Sequence, residues 1–239
     1  MECHVFVPEG EGPSTELGAS PRPAVILYMD AFGLRPDLDA MAQRLASHGY
    51  AVFVPNLYYR SGAYAPFDAR LVVSEGPERD RFKGMIRSIT DALVMRDTAA
   101  VLAMADSHPA VSRGHVGVVG YCMGGGFALS AAGTFPERVA SAASFHGGSL
   151  ATDKPDSAHL LAPRMRGRVY VGVAEIDASF SPEQQARLET ALSAAHVDFT
   201  IEIYKGAKHG FAVNGHLVYD RDASDRHWQR LLRLFSETL

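Results

Sequence analysis

The stretch HVGVVGYCMGGGFALSAAG, residues 115–133, decides the fold of this chain. It begins with HVGVVG, a short continuous apolar run of the kind found in strands that are buried on both faces. A glycine-rich segment containing Cys122 follows at once and leads into a run of small and apolar residues. We therefore predict a strand that turns sharply into a helix, with Cys122 at the turn.

The same alternation of strand and helix patterns extends along the whole chain. Further buried-strand runs are PAVILYM (23–29), YAVFVP (50–55), VASAASFH (139–146), RVYVGVA (168–174) and VDFTIEIY (197–204). Helix-period segments lie at 37–49, at about 81–107 as one long helix, and at 122–133, 181–196 and 223–239. This alternation predicts a mainly parallel sheet with helices on both faces, in a single domain over residues 1–239. The Gly/Pro-rich stretch 9–23 is predicted to be a surface turn between two strands.

Composition excludes several classes of function. The 239 residues are 47% hydrophobic and carry a net charge of -4, and no basic stripe indicates a nucleic-acid partner. No apolar run reaches the roughly 18 residues of a membrane span, and no secretory signal is visible, so a cytoplasmic location is predicted. The two cysteines, Cys3 and Cys122, make no disulfide framework. No metal-binding histidine pair or phosphate-binding loop occurs, so we expect neither a metal nor an organic cofactor.

The glycines around Cys122 indicate a nucleophile. Gly120 and Gly124 flank it in the pattern GxCxG, which is the nucleophile-elbow pattern GxSxG with sulfur in place of oxygen. A nucleophile at such a turn holds a strained backbone, and a Cβ at either neighbour would meet the adjacent strand or helix. The amino terminus of the following helix favours a thiolate there. The alternative is that Cys122 is a small core residue, since cysteine is among the most buried residue types.

Two further residues stand at strand ends downstream of Cys122. Asp177 follows the strand RVYVGVA, and His209 follows the strand VDFTIEIY. The carboxyl ends of parallel strands share one edge of a sheet, and the order nucleophile, acid, histidine is that of an α/β-hydrolase triad. Taken singly, Asp177 could be a helix cap and His209 an ordinary loop histidine. Glu175 is the alternative for the acid.

Four stretches resemble the dienelactone hydrolase (carboxymethylenebutenolidase-like) family of α/β-hydrolases. They are MDAFGLRPDLDAMAQRLASHGYAVFVPNLYYR (29–60), VGVVGYCMGGGFAL (116–129), VGVAEIDASFSPEQ (171–184) and YKGAKHGFA (204–212). The resemblance implies an eight-stranded sheet of the α/β-hydrolase type, trimmed in this family and without a large lid domain. It also implies that Cys122, His209 and Asp177 form a catalytic triad.

The resemblance implies one more functional residue and shows one departure. In the family an acidic residue after an early strand contacts the resting thiol and helps to generate the thiolate, and the matching position here is Asp30. The family usually has glutamate there. The archetype has an arginine four residues after the catalytic histidine that binds a substrate carboxylate, whereas this chain has Val213. A neutral or apolar ester is therefore expected in place of a dicarboxylate-like lactone.

The expected reaction is hydrolysis of a small carboxylic ester or lactone through a covalent acyl-enzyme. Cys122 would attack the carbonyl while His209 or, by the resemblance, Asp30 takes its proton. Asp177 would orient His209, and water would later hydrolyse the thioester. The oxyanion would be held by the backbone N–H groups of Ala31 and Met123.

Five side chains are expected to contact the substrate, although each has a simpler explanation as a packing or surface residue: His146, Arg81, Tyr58, Phe32 and Phe211. Arg81, with Arg79, could replace the missing arginine or simply begin a solvated helix. Two other functions stay open. One is a thiol-based hydrolase or transferase acting on a thioester or carbon–carbon bond, and the other is a non-catalytic module that binds a small ligand. We expect a monomer or a small homo-oligomer.

Overall fold

The structure is a computed structural model that describes residues 1–8 and 21–239. Its strands are β1 (Cys3–Phe6), β2 (Arg22–Tyr28), β3 (Ala51–Pro55), β4 (Val111–Tyr121), β5 (Val139–Phe145), β6 (Arg168–Ile176) and β7 (Phe199–Lys208). Its α-helices are α1 (Pro36–Ser47), α2 (Pro77–Arg87), α3 (Asp91–Ser107), α4 (Met123–Thr134), α5 (Pro182–Ala194) and α6 (Arg221–Thr238). Short 3₁₀ turns occupy Tyr59–Ser61 and Ala158–Arg164.

The strands form one sheet in the order β1-β3-β2-β4-β5-β6-β7. All neighbouring pairs are parallel except β1 with β3, so the carboxyl ends of β2 to β7 lie along one edge. Consecutive residues Val25, Ile26 and Leu27 of β2 are all at most 1% exposed, which requires that both faces of the sheet are covered. The predicted α/β-hydrolase architecture, without a large extra domain, is confirmed.

Two expectations about the elements differ from the structure. The single long helix expected at 81–107 is wrong, because α2 ends at Arg87 and α3 begins at Asp91. Thr90 separates them: its side-chain oxygen accepts from the N–H of Leu93 at 3.3 Å and starts a new helix. The described residues hold seven strands, not the eight implied by the resemblance. The predicted turn at 9–23 falls mostly on residues 9–20, outside the described residues.

The segment between β3 and α2, which the sequence patterns left unassigned, is mostly turns. Arg60 anchors its start through two hydrogen bonds of 2.7 and 2.6 Å to the carboxylate of Asp97 on α3. Farther along, Tyr64 packs against Tyr58 and Phe67, with ring centroids 5.5 and 6.0 Å away. The ring of Phe82 on α2 completes this group, 5.1 Å from that of Phe67. No residue of α2 is itself buried. The contact between Phe82 and Phe67 therefore helps to hold α2 against the body of the molecule.

Candidate active site

The turn between β4 and α4 holds Cys122 in a strained conformation. Its φ of 53° and ψ of -117° lie where non-glycine residues are rarely found. A Cβ on Gly120 would lie 1.9 Å from the carbonyl oxygen of Gly124, and a Cβ on Gly124 would lie 2.5 Å from that of Tyr28. Both glycines are therefore required by backbone contacts. The half-buried thiol stands at the amino terminus of α4 rather than in the core.

The loops after β6 and β7 bring Asp177 and His209 together. His209 Nδ1 lies 2.6 Å from Asp177 Oδ2, and the Asp177 side chain is only 2% exposed. Burial opposes a charge on His209, but the hydrogen bond to Asp177 and the neighbouring Cys122 outweigh it and raise the pKa of His209 to about 10. Glu175 makes a different contact, accepting from the N–H of Gly206 at 2.7 Å. The structure thus brings Cys122, His209 and Asp177 into one cluster.

Ser179 is a member of this cluster that our sequence reasoning missed. Its N–H and its hydroxyl both donate to Asp177 Oδ1, at 2.8 and 2.6 Å. The same hydroxyl lies 3.1 Å from Nδ1 of His209. Together with His209, these bonds outweigh the effect of burial and lower the pKa of Asp177. The pattern Asp-x-Ser was the available signal, because an aspartate commonly accepts from the backbone two residues on.

The two predicted oxyanion donors stand on either side of a close backbone contact. Met123 is the first residue of α4, where a backbone N–H has no partner within the helix. Ala31 follows β2, and its N–H makes no backbone hydrogen bond among the described residues. Because the start of α4 abuts the end of β2 at Tyr28 and Met29, both N–H groups belong to the same corner of the molecule. The Tyr58 hydroxyl donates to the Ala31 carbonyl at 2.8 Å and supports this loop.

Asp30 does not make the contact that the family resemblance implied. No hydrogen bond within residues 1–8 and 21–239 joins its carboxylate to Cys122. Instead, Arg35 binds both of its oxygens at 2.7 Å, His216 Nε2 lies 3.0 Å away, and the N–H of Phe32 donates to it at 2.9 Å. Although burial opposes its charge, His216 and Arg35 hold the pKa of Asp30 well below its usual range. The expected resting contact with the thiol is therefore replaced by an ion-pair cluster.

Of the other residues predicted to contact the substrate, one is partly exposed and three are fully buried. Phe32 is half-buried beside Phe82 and His216, with both ring centroids 5.1 Å away. Tyr58 and Phe211 are 1% and 0% exposed, and His146 is 1% exposed, so these three are packing residues beneath the site. They were expected at the substrate surface because they follow strand ends, but the pattern does not show which side of the loop a side chain takes.

Arg81 is not free to bind a substrate carboxylate. Its guanidinium donates to Glu78 at 2.9 and 2.7 Å and to the carbonyl oxygens of Ala65 and Pro66 at 3.0 and 3.3 Å. It also lies 4.0 Å above the ring of Phe67. The expectation of a substrate contact is corrected accordingly, since Arg81 closes the loop 65–78. Val213, at the position of the family arginine, is fully buried.

The site combines a cysteine on a strand-to-helix elbow with a histidine and a buried aspartate at the ends of parallel strands. This combination defines an α/β-hydrolase. The model of the dienelactone hydrolase family matches residues 13–239, and the chain belongs to that family. It is a hydrolase of the class that cleaves ester and lactone bonds. The predicted family is thereby confirmed.

Individual proteins support this assignment. A putative carboxymethylenebutenolidase of Synechocystis is 28% identical over 91% of this chain and 87% of its own length. A putative dienelactone hydrolase structure from Klebsiella pneumoniae has a TM-score of 0.80 at 22% identity, covering 99% of both chains, and so shows the fold. The dienelactone hydrolase-like promiscuous phosphotriesterase P91, from metagenomic libraries, is 26% identical with a TM-score of 0.75 over 92% of this chain and 88% of its own.

Two properties of the described residues concern membranes and metal ions. None of their helices has the length and apolar character needed to cross a membrane. Likewise, residues 1–8 and 21–239 contain no group of three or more His, Cys, Asp or Glu side chains arranged to hold a metal ion. Location and oligomeric state stay predictions.

Proposed function

We propose that the protein hydrolyses small, uncharged carboxylic esters or lactones through a thioester on Cys122. The observation that carries this proposal is the 2.6 Å contact between His209 Nδ1 and the buried Asp177 carboxylate, in a cluster with Cys122; both neighbours raise the pKa of the histidine to about 10. A protonated ring beside the sulfur stabilises a thiolate, which is the nucleophilic form of cysteine.

The reaction follows from this arrangement in two halves. The sulfur of Cys122 attacks the carbonyl carbon, and the N–H groups of Ala31 and Met123 stabilise the resulting oxyanion. His209 then gives its proton to the leaving alkoxide as the C–O bond breaks and the thioester forms. In the second half, neutral His209 removes a proton from water, which attacks the thioester; the C–S bond breaks to release the carboxylic acid, and the Cys122 thiolate is left beside protonated His209, as at the start. Asp177 and Ser179 hold the ring of His209 throughout.

The charges around the site favour an uncharged substrate. Two arginines close to the loops of the site in sequence are already paired, Arg35 with Asp30 and Arg81 with Glu78. Val213 supplies no charge where the family has an arginine. Beside the loop that carries Ala31, the side chain of Phe32 offers an apolar aromatic surface. A substrate carboxylate would therefore lose its water without gaining a partner, whereas a neutral acyl group would not.

Intact-protein mass spectrometry after brief mixing with 4-nitrophenyl acetate tests the proposal. We expect an acetyl adduct on Cys122 in the wild type and none in Cys122→Ala, which also loses turnover. Cys3→Ala is the matched control for the only other thiol, because burial raises the pKa of Cys3 to about 11 and keeps it unreactive. Retention of esterase turnover by Cys122→Ala would overturn the proposal.

Phosphotriester hydrolysis is a second candidate, and the similarity to the phosphotriesterase P91 favours it. A neutral triester would meet the same uncharged surroundings, and its attacked phosphorus also places negative charge on one oxygen near the N–H groups of Ala31 and Met123. Diethyl 4-nitrophenyl phosphate in the same assay separates the two activities. A stable diethylphosphoryl adduct on Cys122 would indicate inhibition, whereas continuous release of 4-nitrophenol would indicate turnover.

A further inference from the structure

The backbone N–H of the nucleophile is held by a buried histidine. Cys122 N–H points at Nδ1 of His146, 3.2 Å away, and also at the carbonyl oxygen of Phe145, 3.1 Å away. His146 stands just after β5, is 1% exposed, and has a φ of 39° that non-glycine residues rarely adopt. His146, itself in a strained backbone conformation, thus contacts the backbone of Cys122, which is strained as well.

The hydrogen bond fixes which nitrogen of His146 carries the proton. Nδ1 accepts from Cys122, so it is unprotonated and the neutral ring carries its proton on Nε2. Burial, reinforced by His209 and His216, lowers the pKa of His146 well below its usual value, which keeps the ring neutral. A proton on Nδ1 would place two donors face to face and break the contact with Cys122.

The second ring nitrogen of His146, Nε2, lowers the stability of the folded protein. Nε2 of His146 is buried and has no hydrogen-bond partner within the described part of the chain. An unpaired buried N–H destabilises the folded state. Phenylalanine would fill the same space, among the rings of Phe211 and His209 at 5.2 and 5.4 Å, without that unpaired group. The feature that phenylalanine would lack is the acceptor for Cys122.

We propose that His146 is a positioning residue, which through Nδ1 holds the Cys122 elbow in the strained conformation needed for attack and packs beneath the ring of His209. Met123, the oxyanion donor, is the next residue along the chain, so the same hydrogen bond also fixes the direction of its N–H. This inference rests on the proposed thiol chemistry of Cys122.

The test compares two replacements of His146 in the whole protein. His146→Phe keeps the ring and removes the acceptor, whereas His146→Asn places Oδ1 near the former position of Nδ1. For His146→Phe we expect an unchanged or higher melting temperature, a KM near that of the wild type, and a kcat lower by about 10- to 100-fold. His146→Asn should recover most of the lost kcat. A wild-type kcat in His146→Phe, or equal losses in both variants, overturns the proposal.

A second measurement needs neither variant nor turnover. Two-bond ¹H–¹⁵N correlation spectra of the ¹⁵N-histidine-labelled wild type report which ring nitrogen of each histidine is protonated. We expect His146 to remain in the neutral Nε2–H form at pH 6, and a ring protonated on Nδ1 would overturn the inference even if the Phe variant failed to fold. Absence of any acyl adduct on wild-type Cys122 would instead count against the proposed function, so the two failures are distinguishable.

Discussion

Replacing Gly124 by alanine tests the contact between α4 and β2 beside Ala31 and Met123, the two proposed oxyanion donors. The new Cβ would lie 2.5 Å from the carbonyl oxygen of Tyr28 and 2.7 Å from that of Met29. Ordinary contact begins at 3.4 Å, so the helix and strand would have to separate by about 0.9 Å. Overpacking of this kind costs about 1–3 kcal/mol, and a displacement near 1 Å lowers turnover by about 100-fold.

Gly126→Ala is the matched control on the same helix. Its Cβ would come no closer than 3.9 Å to the side chain of Leu150, so alanine fits and its better helix propensity should add about 0.5–1 kcal/mol of stability. Urea unfolding and 4-nitrophenyl acetate hydrolysis measure both effects. If Gly124→Ala keeps turnover within a few fold of Gly126→Ala, the contact between α4 and β2 does not position the donors.

Three further predictions follow from the site. Ser179→Ala removes the hydroxyl's hydrogen bond to Asp177 and its contact with His209 but keeps the backbone N–H bond, and it should lower kcat by about 10-fold with little change in KM; an unchanged kcat would show that the hydroxyl is not needed to orient the pair. Arg81→Met should leave the ratio of rates on 4-nitrophenyl acetate and anionic mono(4-nitrophenyl) glutarate unchanged, because the guanidinium is occupied; a selective loss on the anionic ester would place Arg81 at the substrate. Since the fold lowers the pKa of Asp30, its stabilisation is present above the unfolded pKa of about 3.9 and is lost as the pH falls below it towards the folded pKa, so the urea midpoints of wild type and Asp30→Asn should differ by a constant amount at neutral pH and begin to converge only below about pH 4; a difference that stays constant in acid would contradict this.

Local patterns were enough to predict the sheet and the elbow. Short apolar runs are unambiguous when a strand is buried on both faces, and six predicted strands appear in the structure with shifted ends. The positions of Cys122, Asp177 and His209 follow from topology, since parallel strands deliver their following loops to one edge. Ser179 was missed because a hydroxyl that supports another side chain leaves only a short Asp-x-Ser signal.

Side-chain direction could not be predicted from the pattern. Arg81 was expected at the substrate, but a guanidinium can be satisfied by backbone carbonyls of an irregular loop that has no periodicity to read. Asp30 was expected at the thiol, but its partner His216 lies 186 residues away in the sequence. The prediction of one continuous helix through Thr90 failed for a local reason, because a single capping hydroxyl interrupts an otherwise helical pattern.

The position of β4 between β2 and β5 has a consequence for folding. The chain between β2 and β4 contains β3 and helices α1 to α3, so the pairing of β2 with β4 closes a long loop and belongs to the slow, non-local steps of folding. The N–H groups of Ala31 and Met123, the proposed oxyanion donors, come to the same edge of the sheet only when that pairing is complete. A partly folded chain therefore lacks the proposed site around Cys122, and recovery of hydrolytic activity on refolding reports that β2 and β4 have paired.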